Sequence, residues 1–112
     1  NRAFAGRAEL AARELADLIT LDDAGFRQVF AGSPIKRIGR DRMVRNALVA
    51  AGNSGDGALL PAIVALLDDE SPVVRGAAIW ALGQLDPARL VAERAGRRSK
   101  EPDESVVAEW NA

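Results

Sequence analysis

Five cationic side chains fall within ten residues: Lys36, Arg37, Arg40, Arg42 and Arg45, interrupted by one acid, Asp41. Guanidinium and ammonium groups gathered this way bind anions, and arginine offers a planar fork of N–H donors that matches a phosphate. The chain holds 15 Lys and Arg against 16 Asp and Glu, a net charge of −1. The positive excess is therefore local, a patch rather than the field of a polycation.

The groups that most other chemistries require are missing. The 112 residues include no Cys, no His and no Tyr. Without Cys there is no disulfide, no thiolate metal ligand and no iron–sulfur cluster ligated by this chain. Without His the commonest general base and metal ligand is gone, and a Ser–His or Cys–His nucleophile pair is excluded. Asp68-Asp69-Glu70 lacks the alternating ligand spacing of a calcium loop and reads as a helix connection whose charge complements the next helix dipole. The turn from Gly52 to Gly57 has no lysine after it and follows a helix, so it is not a phosphate-binding loop. A second basic run, Arg97, Arg98 and Lys100, is followed by Glu101, Asp103 and Glu104; its field largely cancels, and it reads as a solvated linker. The expectation is a binding module with no catalytic residue and no metal site.

The elements that hold the patch are helical. Apolar residues make up 48% of the chain, mostly Ala, Leu and Val, with two Trp and three Phe. Small side chains suit close helix packing better than a sheet sandwich. Helical spacing of Leu10, Ala11, Leu15, Leu18 and Ile19 predicts a first helix over 5–19. Asp22 as N-cap, with Leu21 and Phe26 placed as a hydrophobic staple, predicts a short second helix over 23–30, ended by Gly32-Ser33-Pro34. A third, over 40–51, carries Met43, Val44, Ala47, Leu48 and Ala51 on one stripe, with Arg42 and Arg45 roughly opposite. A fourth spans 58–67, with Pro61 tolerated in its first turn. Ser71 followed by Pro72 starts a fifth over 72–85. A sixth covers 88–95, and a short last helix begins at Ser105 with Val106, Val107 and Trp110.

Those helices repeat. Met43-Val44-Arg45-Asn46-Ala47 aligns with Val73-Val74-Arg75-Gly76-Ala77 at a shift of 30, and Val73-Val74 recurs as Val106-Val107. A period near thirty residues, one helix pair per period, marks a helical solenoid. The segment from Leu59 to Leu85 reads like a HEAT-type repeat. The fold class expected is all-α, a short HEAT-like α-α superhelix of six or seven helices. Residues 1–34 would be an N-terminal helical connector and 35–112 the repeats. Arg45 and Arg75 occupy equivalent positions. A structural bond to loop carboxylates, Asp68 or Asp69, is the reading for Arg75. Trp80 and Trp110 are aromatic faces on which bases could stack; Trp80 lies close to the apolar stripe of the fifth helix and reads as core packing, and Trp110 reads as capping the last repeat. No apolar run approaches the roughly 20 residues of a membrane helix, no secretion signal is visible, and the absence of Met at position 1 suggests a fragment of a longer chain.

The segment Phe30-Ala31-Gly32-Ser33-Pro34-Ile35-Lys36-Arg37, with Gly39-Arg40, then Arg45-Asn46 and Ala50-Ala51-Gly52-Asn53, resembles the C-terminal part of epoxyqueuosine reductases. The resemblance covers nearly the whole chain. It implies a cytoplasmic tRNA-modifying oxidoreductase of queuosine biosynthesis, using cobalamin and two [4Fe-4S] clusters held upstream of this segment. It places Lys36, Arg37, Arg40, Arg45, Asn46 and Asn53 against tRNA or against the cluster domain. Together with the patch, the expected role is tRNA backbone binding, with Lys36, Arg37, Arg40, Arg42 and Arg45 on phosphates. The alternative is a structural or docking module whose basic loop pairs with acids of the upstream domain. Whether Arg42 and Arg45 are exposed or engaged by carboxylates such as Asp41 discriminates the two.

Overall fold

The computed structural model describes residues 14–34 and 38–112, and every element among them is helical. Helix α1 is described over residues 14–19; the rest of the first expected helix, together with Lys36 and Arg37, lies outside the described residues. Then follow α2 (Asp23–Val29), α3 (Gly39–Asn53), α4 (Leu60–Ala65), α5 (Pro72–Leu85), α6 (Pro87–Arg97) and α7 (Glu104–Asn111).

Local chemistry sets most of the starts. Asp22 Oδ1 accepts the Gly25 N–H at 2.7 Å and caps α2. Ser71, Asp86 and Asp103 cap α5, α6 and α7 in the same way, filling backbone donors that helix ends leave orphaned. Pro61 and Pro72 stand in the first turns of their helices, where a missing N–H costs nothing. Helix α4 is extended at both ends by tight 3-10 turns, Gly57–Leu59 and Leu66–Asp68.

The helices form two layers. Helix α5 is central: it packs against α3, α4, α6 and α7, and α2 lies against α3. Val44, Leu48, Leu59, Ile63, Val74, Ile79, Leu82, Val106 and Trp110 fill the space between layers, each 2% exposed or less. Burying a side chain of this size is worth about 1.5–3 kcal/mol. Ile19 and Phe26 belong to the same core. Trp110, expected as a cap on the last repeat, is 2% exposed and belongs to this same core.

Three boundaries move. Helix α3 runs through Gly52 and Asn53, which the sequence assigns to a turn. Gly52 is buried there, and a Cβ would lie 2.6 Å from Trp80 Cζ3, so this glycine serves a close helix approach, not a bend. The bend itself is made by Gly55 at φ +70°. Helix α6 extends from 88–95 to Pro87–Arg97, and the expected linker after it opens with a further 3-10 turn, Arg98–Lys100.

Candidate nucleic-acid interface

Helix α3 carries the patch. At about 100° per residue, Arg42, Arg45, Asn46, Val49 and Asn53 fall within an arc of roughly 100° on one side. All five are exposed, while Met43, Val44, Ala47, Leu48 and Ala51 face the core. The structure thus brings four of the expected contacts, Arg42, Arg45, Asn46 and Asn53, onto one open stripe.

Neither arginine of that stripe is engaged by a carboxylate. Arg45 reaches only Asn46 Oδ1, at 3.4 Å. Arg42 makes no hydrogen bond or ion pair among the described residues. Asp41, the nearest acid in sequence, turns instead to Arg40 Nη1 at 3.2 Å.

Arg40 departs from the reading as a phosphate contact. It lies about 160° around the helix from Arg42, and its side chain is only 11% exposed. Its Nη1 and Nη2 donate to Asp69 Oδ2 and Oδ1 at 2.9 and 2.8 Å, a bidentate pair, and Nε donates to the Leu21 carbonyl at 2.8 Å. These bonds commit the guanidinium to tying α2, α3 and the loop before α5 together. The patch loses one member to the scaffold.

The same latch recurs one repeat on. Arg75 Nε and Nη2 donate to Glu101 Oε1 and Oε2 at 2.8 and 2.9 Å, while Nη1 donates to the carbonyls of Asp69 and Glu70. The structural role expected for Arg75 is seen, but its carboxylate is Glu101 rather than Asp68 or Asp69. Asp69 and Glu101 are equivalent: each stands two residues before an N-cap, Ser71 or Asp103, and accepts that residue's N–H at 3.0 Å. Arg45, the sequence equivalent of Arg75, is left free because α3 begins about a turn earlier in its repeat than α5. Arg40 on that added turn takes the carboxylate. Arg97 pairs with Glu93 and Asp68, so the second basic run is partly consumed as well.

These pairs shift the acids. Burial works against the Asp69 carboxylate, but hydrogen bonds from Arg40 and the Ser71 N–H outweigh it, and the carboxyl is held below its usual range. The bonds from Arg75 hold Glu101 down against its own burial. A folded-state value below the unfolded one gives stability that is complete above the unfolded value and is lost as pH falls through the folded one. The melting temperature should therefore be level above about pH 5 and fall below about pH 4. Glu101→Gln should flatten that acid limb, as thermal unfolding followed by circular dichroism from pH 7 to 2.5 will read.

Beside the stripe lies a groove of about 390 Å³ across the outer face of α3, α5 and α7, lined by Arg45, Val49, Val73, Gly76, Trp80 and Glu109 among others. Sequence reasoning missed it. Trp80 packs on the core, as expected, but is only partly buried and reaches this groove. No group of acidic side chains suited to a metal ion occurs among the described residues, and no described helix is long and apolar enough to cross a membrane.

Stacked helix pairs latched through their loops define a helical-repeat protein. The sequence pattern of HEAT repeats matches residues 39–110, and the chain belongs to that family. Its relatives narrow the class. The chain is 40% identical over 89 residues to the epoxyqueuosine reductase of Alicycliphilus denitrificans, covering 72% of this chain and 25% of that protein. It is 31% identical over 106 residues to the epoxyqueuosine reductase of Bacillus anthracis, covering 92% and 27%. A crystal structure of epoxyqueuosine reductase with an epoxyqueuosine-modified tRNA-Tyr stem loop superposes with a TM-score of 0.79 at 31% identity, over 87% of this chain and 26% of that one. The resemblance to the C-terminal HEAT-like region of epoxyqueuosine reductases therefore holds, and the chain spans about a quarter of the length of those relatives.

Proposed function

We propose that this chain is the non-catalytic RNA-holding module of an epoxyqueuosine reductase. Arg42 and Arg45 contact phosphates of a tRNA anticodon stem-loop, Asn46 and Asn53 donate beside them, and Lys36 and Arg37, a few residues earlier in the sequence, add two further phosphate contacts. One observation carries the reading. Arg40, Arg75 and Arg97 are all paired with carboxylates, whereas Arg42 and Arg45 share an exposed stripe with no carboxylate partner among the described residues. Unpaired guanidinium groups on one helix face, in a chain of net charge −1, favour phosphate over the docking alternative.

The remainder of the enzyme, a cytoplasmic oxidoreductase of queuosine biosynthesis, would hold the cobalamin and the two [4Fe-4S] clusters. The donor set here does not fit them: with no Cys and no His, this chain has no cluster thiolate and no imidazole to offer. Its contribution is to position RNA and to support the upstream domain.

Fluorescence anisotropy with a labelled anticodon stem-loop tests the reading. Lys36→Ala with Arg37→Ala should weaken binding roughly tenfold. Arg98→Ala with Lys100→Ala, which removes the same charge from the other basic run, should change it less than about twofold. Equal losses from both pairs would mean general charge attraction rather than this face.

A further inference from the structure

The outer face of the central helix differs from its neighbours. Helix α3 presents Arg42 and Arg45, and α7 presents Ser105 and Glu109. Between them α5 presents Val73, Gly76 and Trp80, with no charge. Gly76 stands in the second turn of a 14-residue helix, inside its interior, where glycine is weaker than alanine. A Cβ there would meet none of the described residues within 4 Å. Packing among the described residues gives no reason for this glycine, unlike Gly52, whose absent Cβ makes room for Trp80. Open space above a bare stretch of helix admits an outside group onto the backbone. Next to it, the Trp80 indole N–H donates to no acceptor among the described residues.

The charges on the two walls select the occupant. Arg45 supplies a cation on the α3 side and Glu109 a carboxylate on the α7 side. A nucleotide matches both: its phosphate suits arginine, its base offers a flat face to Trp80, and an amino edge donates to a carboxylate. We propose that this groove takes one unpaired nucleotide of the bound RNA, with the phosphate at Arg45, the base over Gly76 and Trp80, and its amino edge toward Glu109. The proposal rests on the RNA-holding reading above and adds to it a site for single-stranded RNA and a preference for amino-bearing bases over uracil.

Titration of this chain at low salt with an oligo(C) hexamer, an oligo(U) hexamer and a short RNA duplex tests it. Oligo(C) should bind more tightly than oligo(U) and quench tryptophan emission; Trp110 is 2% exposed, so the quench reports Trp80. Gly76→Leu should raise the melting temperature by a few degrees. It should also weaken oligo(C) binding roughly tenfold while leaving the duplex within about twofold. Glu109→Gln should narrow the preference for oligo(C) over oligo(U). If Gly76→Leu binds oligo(C) as wild type does, the groove proposal is overturned, and the RNA reading stands if Arg42→Ala with Arg45→Ala still weakens duplex binding by at least roughly tenfold. If the wild-type chain binds none of the three, both readings fall.

Discussion

Arg42→Ala combined with Arg45→Ala should lower affinity for an anticodon stem-loop roughly 30-fold at about 0.1 M salt and leave the fold intact. Each phosphate contact releases condensed counterions, so losing two should also reduce the slope of log affinity against log salt by about 1.5. Both side chains are exposed and, among the described residues, hold nothing beyond the long Arg45–Asn46 contact. Surface changes of this kind stay within about 0.5 kcal/mol of wild-type stability. Binding and unfolding measured on the same preparation separate the two effects. A drop in melting temperature matching the loss of binding would mean that these arginines hold the fold.

Arg40→Ala should do the reverse. It removes the bidentate pair to Asp69 and the bond to the Leu21 carbonyl, leaving a carboxylate only 13% exposed without its cation. Breaking a well-buried pair from one side costs about 3–5 kcal/mol, and the edge position here brings the expectation to about 2–3 kcal/mol. For a chain of this size that is a fall in melting temperature on the order of 10 °C. Asp69→Asn in the Arg40→Ala background should cost little more, because the partner is already gone. Thermal unfolding of the four species gives the coupling directly. Additive losses would mean that the pair contributes no energy of its own.

The contrast between Arg40 and its neighbours shows what the sequence reveals and what it withholds. Helix α5 was legible to the residue, since Ser71 bonds the Val74 N–H three positions on and Pro72 acts through its own fixed φ and missing N–H. The free stripe was legible too, because the 3.6-residue period already sets Arg42 and Arg45 opposite Met43 and Val44. Arg40 was not, because its partner Asp69 lies 29 residues away and only folding makes the pair. The helical period did carry a warning, since Arg40 falls well off the stripe that Arg42 defines. Gly52 was misread for the same long-range reason: Asn53 and Ser54 after it look like a turn, yet Trp80 of the next repeat decides its role. The groove was hidden because a mid-helix glycine such as Gly76 becomes informative only once its surroundings are known to be open.

The patch also shows how a repeat scaffold divides one charge cluster between loop latches and an exposed helix face. Arg40 and Arg75 take loop carboxylates at equivalent positions and lock successive repeats. The added turn at the start of α3 frees Arg45 from that duty and leaves it on the outer face.

The central claim, that this module holds RNA through phosphates on the α3 face, is tested most directly by one salt titration. Affinity of the wild-type chain for an anticodon stem-loop should fall as salt rises from about 50 to 200 mM, with a slope near −3 on logarithmic axes, as four contacts from Lys36, Arg37, Arg42 and Arg45 require. A folded chain that shows no binding at the low end, or binding that does not change with salt, would contradict the account and assign the basic face to docking on the upstream domain.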